Sequence, residues 1–159
     1  MTAPPEPRTH LQACNDLAYE IRFQTRSRRF YKRMRLWLGV LAAIAGSAAF
    51  INVVSSQPAL LAVGGVVVAG CAYIESHFGL AEKIAAHESQ RKRYLVLESK
   101  IAGLSVDELD AELSILAMDD PDEIESLKRP SFNDMLITRG YVEDVERLGF
   151  REKLMNLIA

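Results

Sequence analysis

Apolar residues are distributed unevenly along this chain. Two stretches without a single Asp, Glu, Lys or Arg, Leu36 to Val54 and Pro58 to Ile74, stand almost back to back. They hold 19 and 17 residues and are separated by Ser55, Ser56 and Gln57. A helix rises about 1.5 Å per residue, so the first covers roughly 28 Å, near the ~30 Å hydrocarbon core of a bilayer. The second reaches that length by running on through Glu75 with a small tilt. A core helix of a soluble protein rarely avoids charge for so long, because one face meets water. The pattern predicts an all-α membrane protein: a two-span helical hairpin, with spans at about 36–54 and 58–75, long cytoplasmic helical extensions and a helical C-terminal tail.

Outside these stretches the periodicity is helical and amphipathic. The three prolines of residues 1–8 predict a disordered lead. Thr9 is a suitable N-cap, and Leu11, Cys14, Ala18, Ile21 and Thr25 recur at helical spacing. Phe23, Phe30 and Met34 form a second stripe among arginines. No Gly or Pro interrupts His10 to Leu38, so this helix runs straight into the first span. Beyond the second span, Leu80, Ile84, Tyr94, Leu97, Ile101 and Leu104 line one side of a helix, which polar His87 and Arg91 interrupt. Gly79 predicts a kink and Gly103 an end. Ser105 and Glu108 are spaced as a capping box for a helix carrying Leu109, Leu113 and Leu116. Pro121 breaks that helix in "MDDPDE". A short helix follows at Glu123–Lys128, another starts at Pro130 and Ser131 and ends near Gly140, and a last one covers Val142 to Ile158. The resulting division is a lead over 1–8, the hairpin with its cytoplasmic helices over 9–104, and an acidic helical tail over 105–159.

Charge adds orientation. Seven basic residues and no acidic one lie between Ile21 and Arg35, while fifteen acidic and seven basic residues lie from Glu98 to the end. Lys and Arg close to a span tend to stay cytoplasmic. The turn between the spans carries no charge, and Lys83, Arg91, Lys92 and Arg93 follow the second span. Both termini are expected inside. A secretory signal peptide does not fit, since its n-region would be 35 residues long and a second span follows at once. Arg26, Arg28, Arg29, Lys32, Arg33 and Arg35 are read as membrane-surface residues that set topology and meet anionic headgroups, which makes nucleic acid an unlikely partner. Trp37 with Tyr31 fits an aromatic belt.

Small residues suggest how the helices meet. Gly39, Ala43 and Ser47, then Ala42, Gly46 and Ala49, recur in the first span, and Ala62, Gly64, Gly65, Ala69 and Gly70 in the second. In lipid such residues let backbones approach closely. They cover more than one face of the first helix, so Gly39, Ala43, Gly46, Ser47, Gly65 and Ala69 are read as helix-packing and oligomerisation residues of a homo-oligomer. Asn52, Tyr73 and Glu75 are interface anchors, with Glu75 and His77 as the candidate inner mouth of a pore.

Chemistry is sparse. Three histidines and two cysteines make no zinc spacing, and His10 with Cys14 supplies only two ligands. Asp119, Asp120, Asp122 and Glu123 lack the alternation and glycine of a calcium loop and read as a solvated turn. No Gly-rich phosphate loop is present. No catalytic residue, metal or cofactor is assigned. Cys14 and Cys71 are small apolar fillers, since the cytosol keeps thiols reduced.

The layout of an Arg-rich cytoplasmic helix ("YEIRFQTRSRRFYKRMRLWL"), a tight hairpin, a long charged helix ("GLAEKIAAHESQRKRYLVLESKIAGL") and a tail with "FNDMLITRGY" resembles the SLATT family of bacterial two-helix membrane proteins. The resemblance covers roughly Leu11 to Gly103, and more faintly the tail around Asn133 and Asp134. It implies an inner-membrane effector of an anti-phage or nucleotide-signalled defence system, which forms pores when a separate cytoplasmic sensor or regulator protein detects infection. Depolarisation and growth arrest would follow. Two other readings share the layout: a non-conducting membrane scaffold that docks a cytoplasmic partner, and a phage-type holin, which would not need so long a structured tail.

Overall fold

The computed structural model describes residues 8–47 and 57–159. The proline-rich lead, the far end of the first apolar stretch with Ala49 and Asn52, and Ser55 and Ser56 of the turn lie outside the described residues. The described part is all-helical, with no strand. Helix α1 spans His10–Ala45, α2 Pro58–Phe78, α3 Leu80–Lys100, α4 Val106–Ala117, α5 Glu125–Arg139 and α6 Phe150–Ile158. Short 3₁₀ turns cover Ile101–Gly103 and Val142–Asp144.

Local signals in the sequence account for most of these boundaries. Thr9 caps α1, with its side chain accepting from the Gln12 amide and Gln12 accepting from Thr9 in return. Ser105 and Glu108 close the expected capping box of α4. Gly79 stands between α2 and α3 with φ 55° and ψ 44°, the left-handed conformation that glycine adopts most cheaply. Gly140, at φ 86°, ends α5, where its amide donates to the Ile137 and Leu136 carbonyls.

Two expected boundaries are corrected. Residues 125–139 form one helix, not two, with Pro130 inside it. The proline ring is fully buried, so packing offsets the backbone bond that the Ser126 carbonyl loses, and next to it Ser131 Oγ donates to the Leu127 carbonyl at 2.7 Å. The last helix starts at Phe150 rather than Val142. Gly149 precedes it, and its amide donates to Glu152 Oε2 at 2.6 Å.

The long α1 packs antiparallel on α2 and α3 in turn. Gly46 approaches Val68, Arg35 pairs with Glu75, Arg28 with Glu88, and Gln24 meets His87. One core lies at the far end of this pair: Ala13 and Leu17 of α1, Tyr94 and Leu97 of α3, and Leu109 and Leu116 of α4. A second, smaller core joins Phe23 to Leu127 and Ala159, with Tyr19, Phe30 and Met155 at its edge. The segment after Gly103 therefore folds back along α1. Leu11, expected on the apolar stripe, is instead 53% exposed, because the stripe that packs runs through Ala13, Leu17 and Gln24.

One helix among the described residues is long and apolar enough to cross a membrane, the α2–α3 rod over Ala59–Gly103. A soluble core helix would be mostly buried, whereas 11% of the rod's most apolar stretch is buried. The first apolar stretch is described only as far as Ser47, too little of it to meet the same length.

Gly79→Ala tests the joint. A Cβ there would sit 2.6 Å from Glu82 Oε2, and the left-handed backbone costs an L-residue about 1–2 kcal/mol. The expected result is a lower thermal midpoint by circular dichroism in detergent, with helix content at low temperature unchanged.

Candidate functional site

Two regions of the α1/α2/α3 pair concentrate the chemistry. The first is the apolar end. Arg35 Nε donates to Glu75 Oε1 at 2.7 Å and so ties together the charged ends of two apolar stretches that lie 40 residues apart in sequence. His77 stacks on Tyr73 with ring centroids 5.2 Å apart and also meets the edge of Phe78. Glu75 and His77, the candidate pore mouth, are thus both engaged, Glu75 by a cation and His77 by aromatic rings.

The small residues divide between two faces. Gly64 and Cys71 are buried in the contact of α2 with α1. Gly46 faces that contact, since a Cβ on it would come within 3.7 Å of the Val68 side chain. Ser47 is half-buried, and its hydroxyl donates to the Ile44 carbonyl at 3.0 Å. Gly39, Ala43, Gly65 and Ala69 are exposed. A Cβ added at Gly39 or Gly65 would meet nothing within 4 Å among the described residues.

The second region is a polar seam below the apolar end. Gln24, Ser27, His87 and Gln90 are all essentially buried between α1 and α3. Gln24 Nε2 donates to Asp120 Oδ1 at 2.9 Å, while Gln24 Oε1 lies 2.6 Å from His87 Nδ1. A carboxylate accepts and does not donate, so the amide nitrogen must face Asp120, and His87 carries its proton on Nδ1. Tyr94 donates its hydroxyl to Asp120 Oδ2 at 2.9 Å, and Gln90 donates to the Leu116 carbonyl. Tyr31 stacks on the His87 ring, and Lys83 sits over Tyr31 while pairing with Asp122 at 2.8 Å. The loop between α4 and α5 is in this way sewn onto α1 and α3.

Burial sets the protonation states. The His87 ring is pushed down to about 4, chiefly by desolvation and then by the nearby Lys83 charge, so it is neutral. Asp120 is raised by desolvation, against the pull of its Tyr94 and Gln90 hydrogen bonds. Glu20, on the same stretch of α1, is raised to about 7 by desolvation first and then by Asp120, Glu123 and Asp16.

Three sequence expectations change here. His87 does not interrupt the α3 stripe; it belongs to it, since Leu80, His87 and Tyr94 recur every seven residues on the face toward α1. That period was the available signal. Tyr31 is buried in the seam rather than part of an aromatic belt, whereas Trp37 is 68% exposed. The acidic turn is not wholly solvated, because Asp120 is drawn into the seam. His10 and Cys14 do meet, at 3.4 Å, but no group of three or more metal-ligating side chains occurs among the described residues.

The basic block is partitioned. Arg22 and Arg26 face Asp134 of α5, and Arg26 also bonds Asn156. Arg28 pairs with Glu88 at 3.1 Å. Arg33 Nη1 donates to the Leu157 and Ile158 carbonyls at 3.1 and 2.8 Å, which caps α6. Arg29 and Lys32 are exposed and take part in no ion pair among the described residues. No family model, no curated protein and no solved structure matches the chain.

The two titrating arms have opposite signs. A folded Glu20 holds its proton up to about pH 7 against an ordinary 4.5, so its stabilisation is complete below 4.5 and lost as pH rises through 7. His87, held near 4 against 6.5, contributes above 6.5 and loses it as pH falls toward 4. The thermal midpoint should therefore decline from about pH 6.5 to about pH 8, where only the Glu20 arm operates. Glu20→Gln should flatten that decline and leave the acid-side loss in place, as read by thermal melts across pH.

Proposed function

We propose that this protein is a membrane effector whose two apolar helices pair as a transmembrane hairpin, oligomerise and form a pore. The observation that carries the proposal is the apolar end of the helix pair. Two charge-free stretches meet there, Arg35 and Glu75 close their inner margin, and small residues remain on the outside. In lipid, helix association depends on close packing of small residues rather than on apolar burial. Gly39, Ala43, Gly65 and Ala69 are exposed among the described residues, so they are available to a second copy. The cytoplasmic margin would carry Glu75 and His77.

The likeness of the layout to SLATT proteins supports placing this effector in the inner membrane of a bacterium, with both termini inside, in an anti-phage or nucleotide-signalled defence system. Opening would depolarise the cell and arrest growth. A sensor or regulator protein would act on the cytoplasmic helices, and the seam around Gln24, His87 and Asp120 joins the tail to α1, which would enter the membrane, and to α3, which follows α2. A scaffold reading draws on one specific feature, the folded tail. A groove of about 580 Å³ between α3 and α4, floored by Val96, Leu97 and Leu104 and edged by Lys92 and Lys100, offers a partner a docking surface without any need for conductance.

Gly65→Leu separates the two. Among the described residues nothing lies within 4 Å of a Cβ at this position, so the larger side chain is expected to leave the described fold in place, checked by an unchanged helix signal, and to block close approach of another helix. Expected for the pore: induced native protein collapses membrane potential, read by a voltage-sensitive dye, and Gly65→Leu abolishes both this and the oligomer seen by cross-linking. Depolarisation that survives loss of the oligomer would refute the packing argument. Full polarisation with native protein present in the membrane would favour the scaffold.

A further inference from the structure

The small helix α6 carries two apolar faces, and only one is used. Met155 and Ile158 turn toward the body of the protein, with Met155 against the Phe23 and Leu127 core. Phe150, Leu154 and Leu157, spaced four and three apart, form a separate stripe that is 84%, 49% and 78% exposed. Helical geometry puts Arg151 and Lys153 on opposite flanks of this stripe. Glu152, the acidic residue of the helix, is taken up by Arg129 and by the Gly149 amide.

Beside the stripe lies a cleft of about 500 Å³, lined by Arg26, Arg29, Arg33, Lys153, Asn156 and Leu157, together with Ala159. Asp134 balances Arg26. Arg29, Arg33 and Lys153 are in no ion pair among the described residues, and no carboxylate side chain lines the cleft. Leu157 belongs to both the stripe and the cleft. A soluble anion would need only the cations; an anion joined to an apolar chain uses both. The position along α1 agrees. Arg33, which holds the end of α6, lies three residues, about 4.5 Å along the helix, before the apolar stretch that opens at Leu36. Exposed Leu36 and Trp37 continue the apolar surface upward from there.

We propose that the outer face of α6 is a membrane-surface anchor, in which Phe150, Leu154 and Leu157 enter the headgroup boundary while Arg29, Arg33 and Lys153 take the phosphate of an anionic lipid. An amphipathic helix with basic flanks binds in this way, and it favours anionic bilayers. This rests on the membrane reading above, since the bilayer it meets is the one that α1 and α2 enter. The tail is then held at two points, by the seam around Asp120 and by the lipid surface.

The test uses the full chain in vesicles whose acyl chains carry bromine, a short-range quencher of indole fluorescence. Native protein reports through Trp37, its single tryptophan. The Trp37→Phe/Phe150→Trp chain reports through α6. The expected result is quenching of both indoles in phosphatidylcholine with phosphatidylglycerol. In phosphatidylcholine alone, quenching of the α6 indole should be lost while that of Trp37 persists. Adding Arg29→Gln and Lys153→Gln should weaken the anionic-lipid response by ~5-fold per charge, since each basic residue is worth about 1 kcal/mol at such a surface. Trp37 quenched with the α6 indole silent in both lipids overturns the anchor and leaves the membrane reading standing. Neither indole quenched overturns both. Equal quenching of the α6 indole in the two lipids overturns the anionic-headgroup site, and release of that indole by inorganic phosphate assigns the cleft to a soluble anion. An α6 indole that is blue-shifted, unquenched and cross-linked between chains gives the face to a second copy.

Discussion

The structure depends on one side chain more than on any other, the amide of Gln24. Its two ends are spoken for by different elements, the oxygen by His87 of α3 and the nitrogen by Asp120 of the α4–α5 loop. Gln24 and His87 are removed from water and Asp120 is half-buried, and a buried polar group left unbonded costs about 1–3 kcal/mol. A slip of α1 against α3 by one turn would leave an amide, an imidazole and a carboxylate without partners at once. Apolar contacts between Ala13, Leu17, Tyr94 and Leu97 would tolerate such a slip far better, because they are not directional. The core gives the helix pair its adhesion and the polar seam gives it a register.

That division explains which parts of the fold were legible in the sequence. Helix ends set by local chemistry were readable: the Thr9 and Ser105 caps, the Gly79 joint, the stop at Gly103 and the break before Pro121 all follow from rules that involve a few neighbouring residues. Pro130 misled because its cost is local while its compensation is not; burial of the ring comes from the folding-back of the tail. The N-terminal limit of α6 is hidden in the sequence for the related reason that Val142 and Val145 continue the apolar pattern through a segment that forms only a 3₁₀ turn. At the candidate site, His87 and Tyr31 were misplaced by composition. A histidine on an apolar face reads as a break, and a tyrosine beside a basic block reads as an interface residue, until a partner 63 residues away supplies the hydrogen bond that makes burial affordable. The seven-residue recurrence of Leu80, His87 and Tyr94 held that information, although the identity of the partner did not.

The basic block shows how net charge in one dimension differs from charge in three. Read along the chain, residues 21–35 are purely cationic and the tail is acidic. In the fold the tail lies on the block, so Asp134 faces Arg22 and Arg26, while Glu88 and Glu75 from α3 and α2 take Arg28 and Arg35. Most of these pairs are partly exposed, and each contributes little by itself, about 0–1 kcal/mol. Their effect is on field rather than on stability. The cations in no ion pair among the described residues, Arg29, Lys32 and Arg33, are concentrated on one stretch of α1 close to the apolar end, which gives that stretch a localised positive surface.

A mechanical consequence follows from the continuity of the helices. Helix α1 runs unbroken from His10 to Ala45, so the segment that holds the seam and the segment that is apolar are one rigid body. Its partner is not continuous, since α2 and α3 are separated by the left-handed residue Gly79. Displacement of the tail acts first on Asp120, and through it on Gln24 and His87, on both helices below Gly79. On the α1 side nothing along the helix can absorb that displacement, so it passes directly to the apolar end. On the α3 side it reaches Gly79, where a change of two backbone angles reorients α2 against α1 at the cost of the Arg35–Glu75 pair. The geometry therefore places a left-handed joint between the polar seam and α2, while α1 carries the seam and its own apolar segment on one unbroken helix.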